Sequence, residues 1–394
     1  MPLSLAAILS ATAHSADRPG VPRAQIVFAA QTLIEYQARQ AVQAGARQIF
    51  IMVEAVTPFL SRTVDRFAEE GVRVHLIRDM ASLMRQLPRE GDVLLFADGA
   101  VIDPKYVAEM GRAEGNALLV AADDATTSHL ERVDAAHRWA GLARVSAHTL
   151  FNTLDLIGDW DVVLTLMRAV VQNAPSRIVI APADLAEGRV ALIDRQDVAD
   201  LLGKSLVAMP ARGSAGAERV VLQWLAHSMA TRLLRMQISA THIALGAIAV
   251  AVLGLVCVTA GWTIPALLLL FVALGVDMVS RQLGAVGQWD ALGNPMALAV
   301  ALVVSLGIVG LGAQHEAWSN GLHLGIITLA TAYLAGVRRL SRLPMWAWMT
   351  PGSAVLILMM GAMGGQFGAA LGLAALLGML SLVAMLLLDD GVRG

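Results

Sequence analysis

The chain has 394 residues, 57% of them hydrophobic and 15% charged, with a formal net charge of −2. That balance excludes a strongly basic nucleic-acid face. The single cysteine, Cys257, excludes a disulfide framework and a cysteine-built metal site, and in an apolar run it reads as a small packing residue.

Taken in order, residues 3–9 are apolar and are followed by small residues. They lack the basic flank and the length of a secretory signal, so this end is expected to stay in the cytosol. From 26 to 205, short β-branched runs alternate with amphipathic helices: strands at 26–29, 49–53, 72–77, 93–96, 118–121 and 178–181, helices at 33–44 and 58–70. Such alternation predicts a mostly parallel sheet covered on both faces, with ligands at the carboxyl ends of its strands. Asp98 directly follows one of these strands, Asp103 comes shortly after, and Asp123 and Asp124 close another. An acid there suits a nucleotide-bound metal, and it equally suits a strand that simply stops and turns.

The only flexible-linker signal is PARGSAG at 210–216, which places a domain boundary near residue 210. Residues 218–238 are amphipathic. Val221, Leu222, Leu225, Met229 and Leu233 share one face, Arg232 and Arg235 face away, and Trp224 suits interfacial depth. They predict a helix lying in the membrane interface, with an ordinary packed linker helix as the alternative.

Beyond residue 241 the composition turns apolar. A bilayer core takes about 20 apolar residues per helix, and six spans are predicted at roughly 243–261, 263–280, 295–313, 319–337, 352–365 and 367–388. The last two form a tight hairpin across Gly364 and Gly365. Arg232, Arg235, Arg281, Arg338, Arg339, Arg342 and Arg393 all fall on one side only if the spans number six, and the opposite loops carry no Lys or Arg. Basic loops stay cytoplasmic. The expectation is a multi-pass inner (cytoplasmic) membrane protein with both termini in the cytoplasm. Its parts are a cytoplasmic domain at 1–210, a linker with the interfacial helix at 211–240, and an all-α six-helix membrane domain at 241–394.

Two stretches carry a resemblance. Residues 32–53 (TLIEYQARQAVQAGARQIFIMV) and 91–98 (GDVLLFAD) look like the early helix, second strand and metal-aspartate strand of sugar-phosphate nucleotidyltransferases. The resemblance implies a GT-A/Rossmann-like α/β domain with Asp98 as a cofactor-binding residue. Family members start with a strand and a Gly-rich loop followed by a basic residue, which wraps the triphosphate with backbone N–H groups. Here 26–31 (IVFAAQ) runs straight into Thr32 without a glycine, and no Lys follows the first helix. Nucleotidyltransferase activity is therefore not expected.

An interfacial helix, six spans and a fused domain in front resemble the CDP-alcohol phosphatidyltransferases, and more narrowly the fused inositol-phosphate cytidylyltransferase–phosphotransferases. Their signature is D-x-x-D-G-x-x-A-R, then G-x-x-x-D-x-x-x-D, whose carboxylates hold two divalent ions on the CDP diphosphate and whose last acid acts as base. The matching place reads LGVDMVSRQLGAVGQWDALGN at 274–294. The resemblance implies Asp277 and Asp290 as metal ligands, Asp290 and Asn294 as catalytic residues, and Arg281 as cofactor-binding. Asp277/Arg281 and Asp290/Asn294 are each four apart, sharing a helix face.

The pattern is eroded. Aligning Arg281 with the family arginine puts Ala273 and Val276 at the acids. Aligning Asp277 with the second acid puts Leu274 at the first and Gln282 at the arginine. Asn294 cannot act as a base, and two carboxylates support two ions poorly. The family's Pro-Asn-x-x-Thr element is altered to ATHIA at 240–244. A charged residue at membrane depth points to function, yet Asp277 beside Arg281 can pair locally at the headgroup level. His242, His315 and His323 are scattered, and Met359, Met360, Met363 and Met379 read as packing residues among Gly372 and Gly378.

The leading expectation is a catalytically degenerate relative, a pseudoenzyme of phospholipid or inositol-phosphate synthesis. It would act as a binding or partner subunit, as a homodimer or beside an active relative, with no cofactor. The second is an active transferase using Mg²⁺ or Mn²⁺ to move a phospho-alcohol from a CDP-linked alcohol and release CMP. The third is a six-span transporter or scaffold, against which stands the lack of an ionisable group in mid-membrane. Membrane lipid is an expected partner in each case.

Overall fold

The computed structural model describes residues 5–29, 31–154, 161–208, 222, 240–287, 295–337 and 348–389. Contacts divide the chain into two units, Met1–Leu206 and Val207–Gly394, and each is described by itself.

The first unit is a mixed α/β domain. Its strands are β1 (Ala6–Ser10), β2 (Val27–Phe28), β3 (Gln31–Thr32), β4 (Gln48–Met52), β5 (Arg73–Ile77), β6 (Val93–Phe96), β7 (Ala100–Val101), β8 (Ala117–Ala122), β9 (Glu131–Arg132), β10 (His137–Val145), β11 (Ser176–Val179) and β12 (Ala191–Leu192). The helices are α1 (Leu33–Gln43), α2 (Pro58–Glu69), α3 (Met80–Gln86), α4 (Pro104–Arg112), α5 (Ala147–Leu154), α6 (Val162–Gln172), α7 (Pro182–Ala186) and α8 (Gln196–Ala208). The main sheet runs β11-β8-β10-β6-β1-β4-β5, with β9 beside β10. β1 is parallel to both β4 and β6, β4 to β5, and β8 to β11, while β10 runs antiparallel between β6 and β8.

Five of the predicted strands are present with ends moved by at most two residues. The sixth is corrected. Residues 26–29 do not open the sheet; Val27–Phe28 forms only a two-residue ribbon with Gln31–Thr32. The first sheet strand is β1, inside the apolar run weighed above as a signal segment. All five of its residues are buried, because a central strand is covered on both faces and reads as an unbroken apolar run. Helix starts follow local chemistry: Asp79, Asp103 and Asp161 accept N–H bonds at the caps of α3, α4 and α6. Thr32 and Glu35 form a capping box on α1.

Among its described residues the second unit has the helices α9 (Ala240–Thr259), α10 (Thr263–Gly287), α11 (Pro295–Gln314), α12 (Trp318–Val337), α13 (Pro351–Met363) and α14 (Phe367–Asp389). Among the described residues four helical segments are long and apolar enough to cross a membrane: Ala240–Thr259, Thr263–Gly284, Pro295–Gln314 and Phe367–Ala384. α12 opens on Ser319, Asn320 and His323, which dilutes its apolar run. α13, at 13 residues, is only about 20 Å long against a core of about 30 Å. The chain is therefore a multi-pass membrane protein by composition, with α13 and α14 joined through Gly364 and Gly365 as read from the sequence. The interfacial segment 218–238 lies outside the described residues, apart from a buried Leu222.

Small residues bring the helices together. A Cβ on Gly321 would stand 2.9 Å from Gly312 Cα, and Ser305 Oγ lies 3.0 Å from Thr328 Oγ1 across α11 and α12. At one end, the Thr263 hydroxyl is 3.1 Å from His315 Nε2, and the His315 ring is 4.3 Å from that of Phe367. The start of α10, the end of α11 and the start of α14 thus share that end of the bundle.

Candidate functional site

In the α/β unit the chain runs β1, β4, β5 to one side and then returns to place β6 on the other side of β1. The strand order reverses between β1 and β6, and ligand crevices in open α/β sheets lie outside the carboxyl ends at such a reversal. Asp98 stands there. Its Oδ2 accepts the Ala13 N–H at 2.9 Å and the Ser10 hydroxyl at 3.5 Å. Arg23 Nη1 donates to the Asp98 carbonyl at 3.4 Å. Asp98 Oδ1 and Arg23 Nε are buried and have no partner. A buried acceptor and a buried donor left open beside each other cost free energy unless a guest satisfies them.

Burial pushes the Asp98 carboxyl up to about 6, against the opposing pull of the Ala13 amide, the Arg23 guanidinium and the Ser10 hydroxyl. The backbone below requires glycine: Gly99 has φ +77°, and a Cβ there would meet the Ile193 carbonyl oxygen at 2.2 Å. Ile193 N–H in turn donates to the Gly99 carbonyl at 2.8 Å.

Sequence reasoning named Asp98 but missed Ser10, Ala13, Arg23 and Gly99, because it placed the first strand at 26–29. With β1 at Ala6–Ser10, the segment that follows it runs through residues 11–25 before the chain reaches Ile26. It supplies Ala13 and the basic Arg23, and its start has no glycine. This corrects the expectation that the first strand runs straight into Thr32. The segment is folded on itself through Arg23 N–H to Ala13 O at 2.8 Å and Ser15 N–H to Val21 O at 2.9 Å.

The other strand-end acids are structural. Asp103 caps α4 and pairs with Arg189 at 3.4 Å. Asp123 pairs with Arg138 at 2.6 Å and Arg132 at 3.0 Å. Asp124 accepts the Thr126 and Thr127 N–H groups of its own turn. Among the described residues no three acids, histidines or cysteines converge in a metal-holding group. Asp98 therefore offers a cation one free oxygen. That fits an ion carried in by a phosphate-bearing ligand, since magnesium is commonly held by one or two carboxylates plus phosphate and water.

In the helical unit Asp277 is 2% exposed and its Oδ2 lies 2.9 Å from Arg281 Nη2, one turn along α10. The face-sharing inferred from the spacing is present as an ion pair. Asp277 Oδ1 is buried without a partner. The neighbouring Ser280 hydroxyl donates to the Ala240 carbonyl at 2.8 Å, tying α10 to the start of α9. Asp290 and Asn294 lie outside the described residues. A shallow cavity of about 410 Å³ lies at the other end of the bundle, lined by Thr259, Ala260, Gly261, Thr263, Gln314 and His315. It contains none of the predicted site residues.

No protein-family model matches the chain, and no curated protein matches it. Among solved structures, a UDP-glucose pyrophosphorylase from Acinetobacter baumanii is similar over 51% of this chain and 92% of its own, at 12% identity and a TM-score of 0.34. At that identity and score the likeness assigns neither activity nor residues.

Proposed function

We propose that this chain is a non-catalytic relative of the fused nucleotidyltransferase/CDP-alcohol phosphotransferases, binding a phosphate-bearing or nucleotide-linked ligand and acting as a partner subunit. The observation that carries the reading is the Asp98 crevice. It keeps a buried open carboxylate oxygen and a buried open guanidinium N–H at the strand reversal. Among the described residues no three acids, histidines or cysteines converge there, and Arg23 is turned back onto the Asp98 carbonyl. Such a crevice can hold a ligand but lacks what stabilises a pentavalent phosphorus. The one-sided arginines and the helix order support six spans, cytoplasmic termini and a place in the inner membrane. Close small-residue packing is compatible with dimerisation through the helices.

The experiment is thermal unfolding of the detergent-purified chain with CDP-inositol or CDP-diacylglycerol, with and without Mg²⁺ or Mn²⁺. A ligand at 100 times its dissociation constant stabilises by about 2.7 kcal/mol. Stabilisation lost in Asp98→Ala, with no CMP released, is the expected result. Absence of any shift with every nucleotide rejects it.

The open Oδ1 of Asp277 favours a second reading, an active phosphotransferase in the helical half. Metal-dependent CMP release that disappears in Asp277→Ala would establish it.

A further inference from the structure

Buried polar atoms are nearly always hydrogen-bonded, and each exception calls for an explanation. Two such atoms among the described residues of the helical unit are Asp277 Oδ1 and Trp348 Nε1, which the sequence motifs do not jointly explain. Trp348 is 6% exposed and sits just before Thr350, whose side chain caps α13. An indole N–H can only donate, and a carboxylate oxygen can only accept. Neither can be satisfied by apolar packing.

Counted along their helices from a shared end, the two come at similar distances. The end marked by Thr263, His315 and Phe367 is a common origin for α10 and α13. At 1.5 Å per residue, Asp277 lies about 21 Å along α10 from Thr263, and Thr350 about 20 Å back along α13 from Met363. The two helices belong to one apolar cluster, in which Leu274 and Met278, flanking Asp277, join Met349, Ala354 and Val355. One turn further along α10, the Arg281 side chain is 43% exposed and uses one nitrogen on Asp277, leaving further N–H groups. This end of the bundle therefore presents an unmet indole donor and a half-open guanidinium. Together they suit an oxyanion with several acceptor oxygens.

We propose that Trp348, through its indole N–H, and Arg281 bind the phosphate of a ligand at this end of the bundle, with Asp277 positioning Arg281. The inference rests on the proposed phosphate-ligand function and assigns to it a residue outside the motif region. A nucleotide diphosphate and a lipid headgroup phosphate offer the same chemistry.

Trp348→Phe keeps a planar apolar ring and removes only the donor. The full-length protein in detergent is titrated with CDP-inositol, phosphatidylglycerol and inorganic phosphate. The expected result is binding at least tenfold weaker in Trp348→Phe, with a ligand-free melting temperature equal to or above that of the parent chain. The indole ¹⁵N–¹H resonance that vanishes in Trp348→Phe should move on adding the bound probe to the parent chain. That readout still decides the question if the variant is poorly folded. Response to CDP-inositol alone names a nucleotide diphosphate, and response to phosphatidylglycerol alone names a headgroup; either supports the proposal. Equal affinity in both proteins with an unmoved resonance overturns the role of Trp348 and leaves the proposed function standing. Failure of every probe to bind the parent chain overturns both.

Discussion

The Ala13 amide and the Asp98 carboxylate meet at 2.9 Å across the carboxyl ends of two neighbouring parallel strands, β1 and β6. One hydrogen bond thus joins the segment after the first strand to the acid that follows β6. Burial still outweighs it and lifts the carboxyl from 3.8 to about 6.

That balance has a signed consequence. An acid whose folded pKa is raised favours folding below its unfolded value and loses that contribution as pH climbs through the folded one. The Asp98 contribution is therefore complete below about pH 4 and gone above about pH 6, a swing of about 3 kcal/mol. Asp98→Asn removes the charge and keeps an acceptor for Ala13. Its α/β unit should melt above the parent at pH 7.5, with the gap closing towards pH 4.5. A gap that stays constant with pH contradicts the assignment.

Gly99→Ala and Gly45→Ala form a matched pair. Both glycines have positive φ, at +77° and +101°, but only at Gly99 does a Cβ run into backbone, the Ile193 oxygen at 2.2 Å. Around Gly45 nothing lies within 4 Å. Gly45→Ala should cost about 1 kcal/mol through backbone strain, and Gly99→Ala clearly more, about 3 kcal/mol, because two backbones must separate. Circular-dichroism melting of the two variants checks the order.

How far the sequence could be read follows from the same elements. β4, β5, β6, β8 and β11 were visible because β-branched runs bounded by turns mark strands whatever their neighbours. β1 was hidden by its position: a short apolar run near a chain start looks alike in a targeting segment and in a sheet centre. Losing β1 also hid Ala13 and Arg23, whose place depends on the tertiary pairing of β1 with β6. β10 was missed because His137-Arg-Trp-Ala-Gly-Leu-Ala-Arg-Val145 opens polar and carries a register shift between Trp139 and Ala143. In the helical half the spacing of Asp277 and Arg281 was enough to read their ion pair. Trp348 gave no signal, since an unmet indole donor appears only once its surroundings are packed.

The Asp277–Arg281 pair should be strongly non-additive. Asp277→Ala leaves a half-exposed guanidinium without its partner and should cost up to about 1 kcal/mol. Arg281→Ala strands the carboxylate instead, which is worse because Asp277 is 3% exposed in its side chain and Arg281 43%. The double variant removes both charges and should be more stable than Arg281→Ala alone. A double-mutant cycle on detergent melting temperatures measures the coupling, and additivity within about 0.3–0.5 kcal/mol would show that the pair does not interact energetically.

The α11–α12 contact makes the last prediction. Gly312 and Gly321 face each other so closely that a Cβ on either would come within 2.9 Å of the other's Cα. Gly325 adds a second point, where a Cβ would stand 2.6 Å from Val309 Cγ2 and 3.1 Å from the Ser305 carbonyl. Without water to drive helices together, such close backbone approach supplies much of the association. Gly321→Leu must therefore push the helices apart and pull Ser305 Oγ away from Thr328 Oγ1, now 3.0 Å apart. Gly246→Leu, on α9 with nothing within 4 Å of its Cβ position, adds the same bulk facing open space. Gly321→Leu should lower the melting temperature and the yield of monodisperse protein in detergent, and Gly246→Leu should leave both near the parent values. Equal behaviour of the two would mean that the α11–α12 contact is not the tight one described.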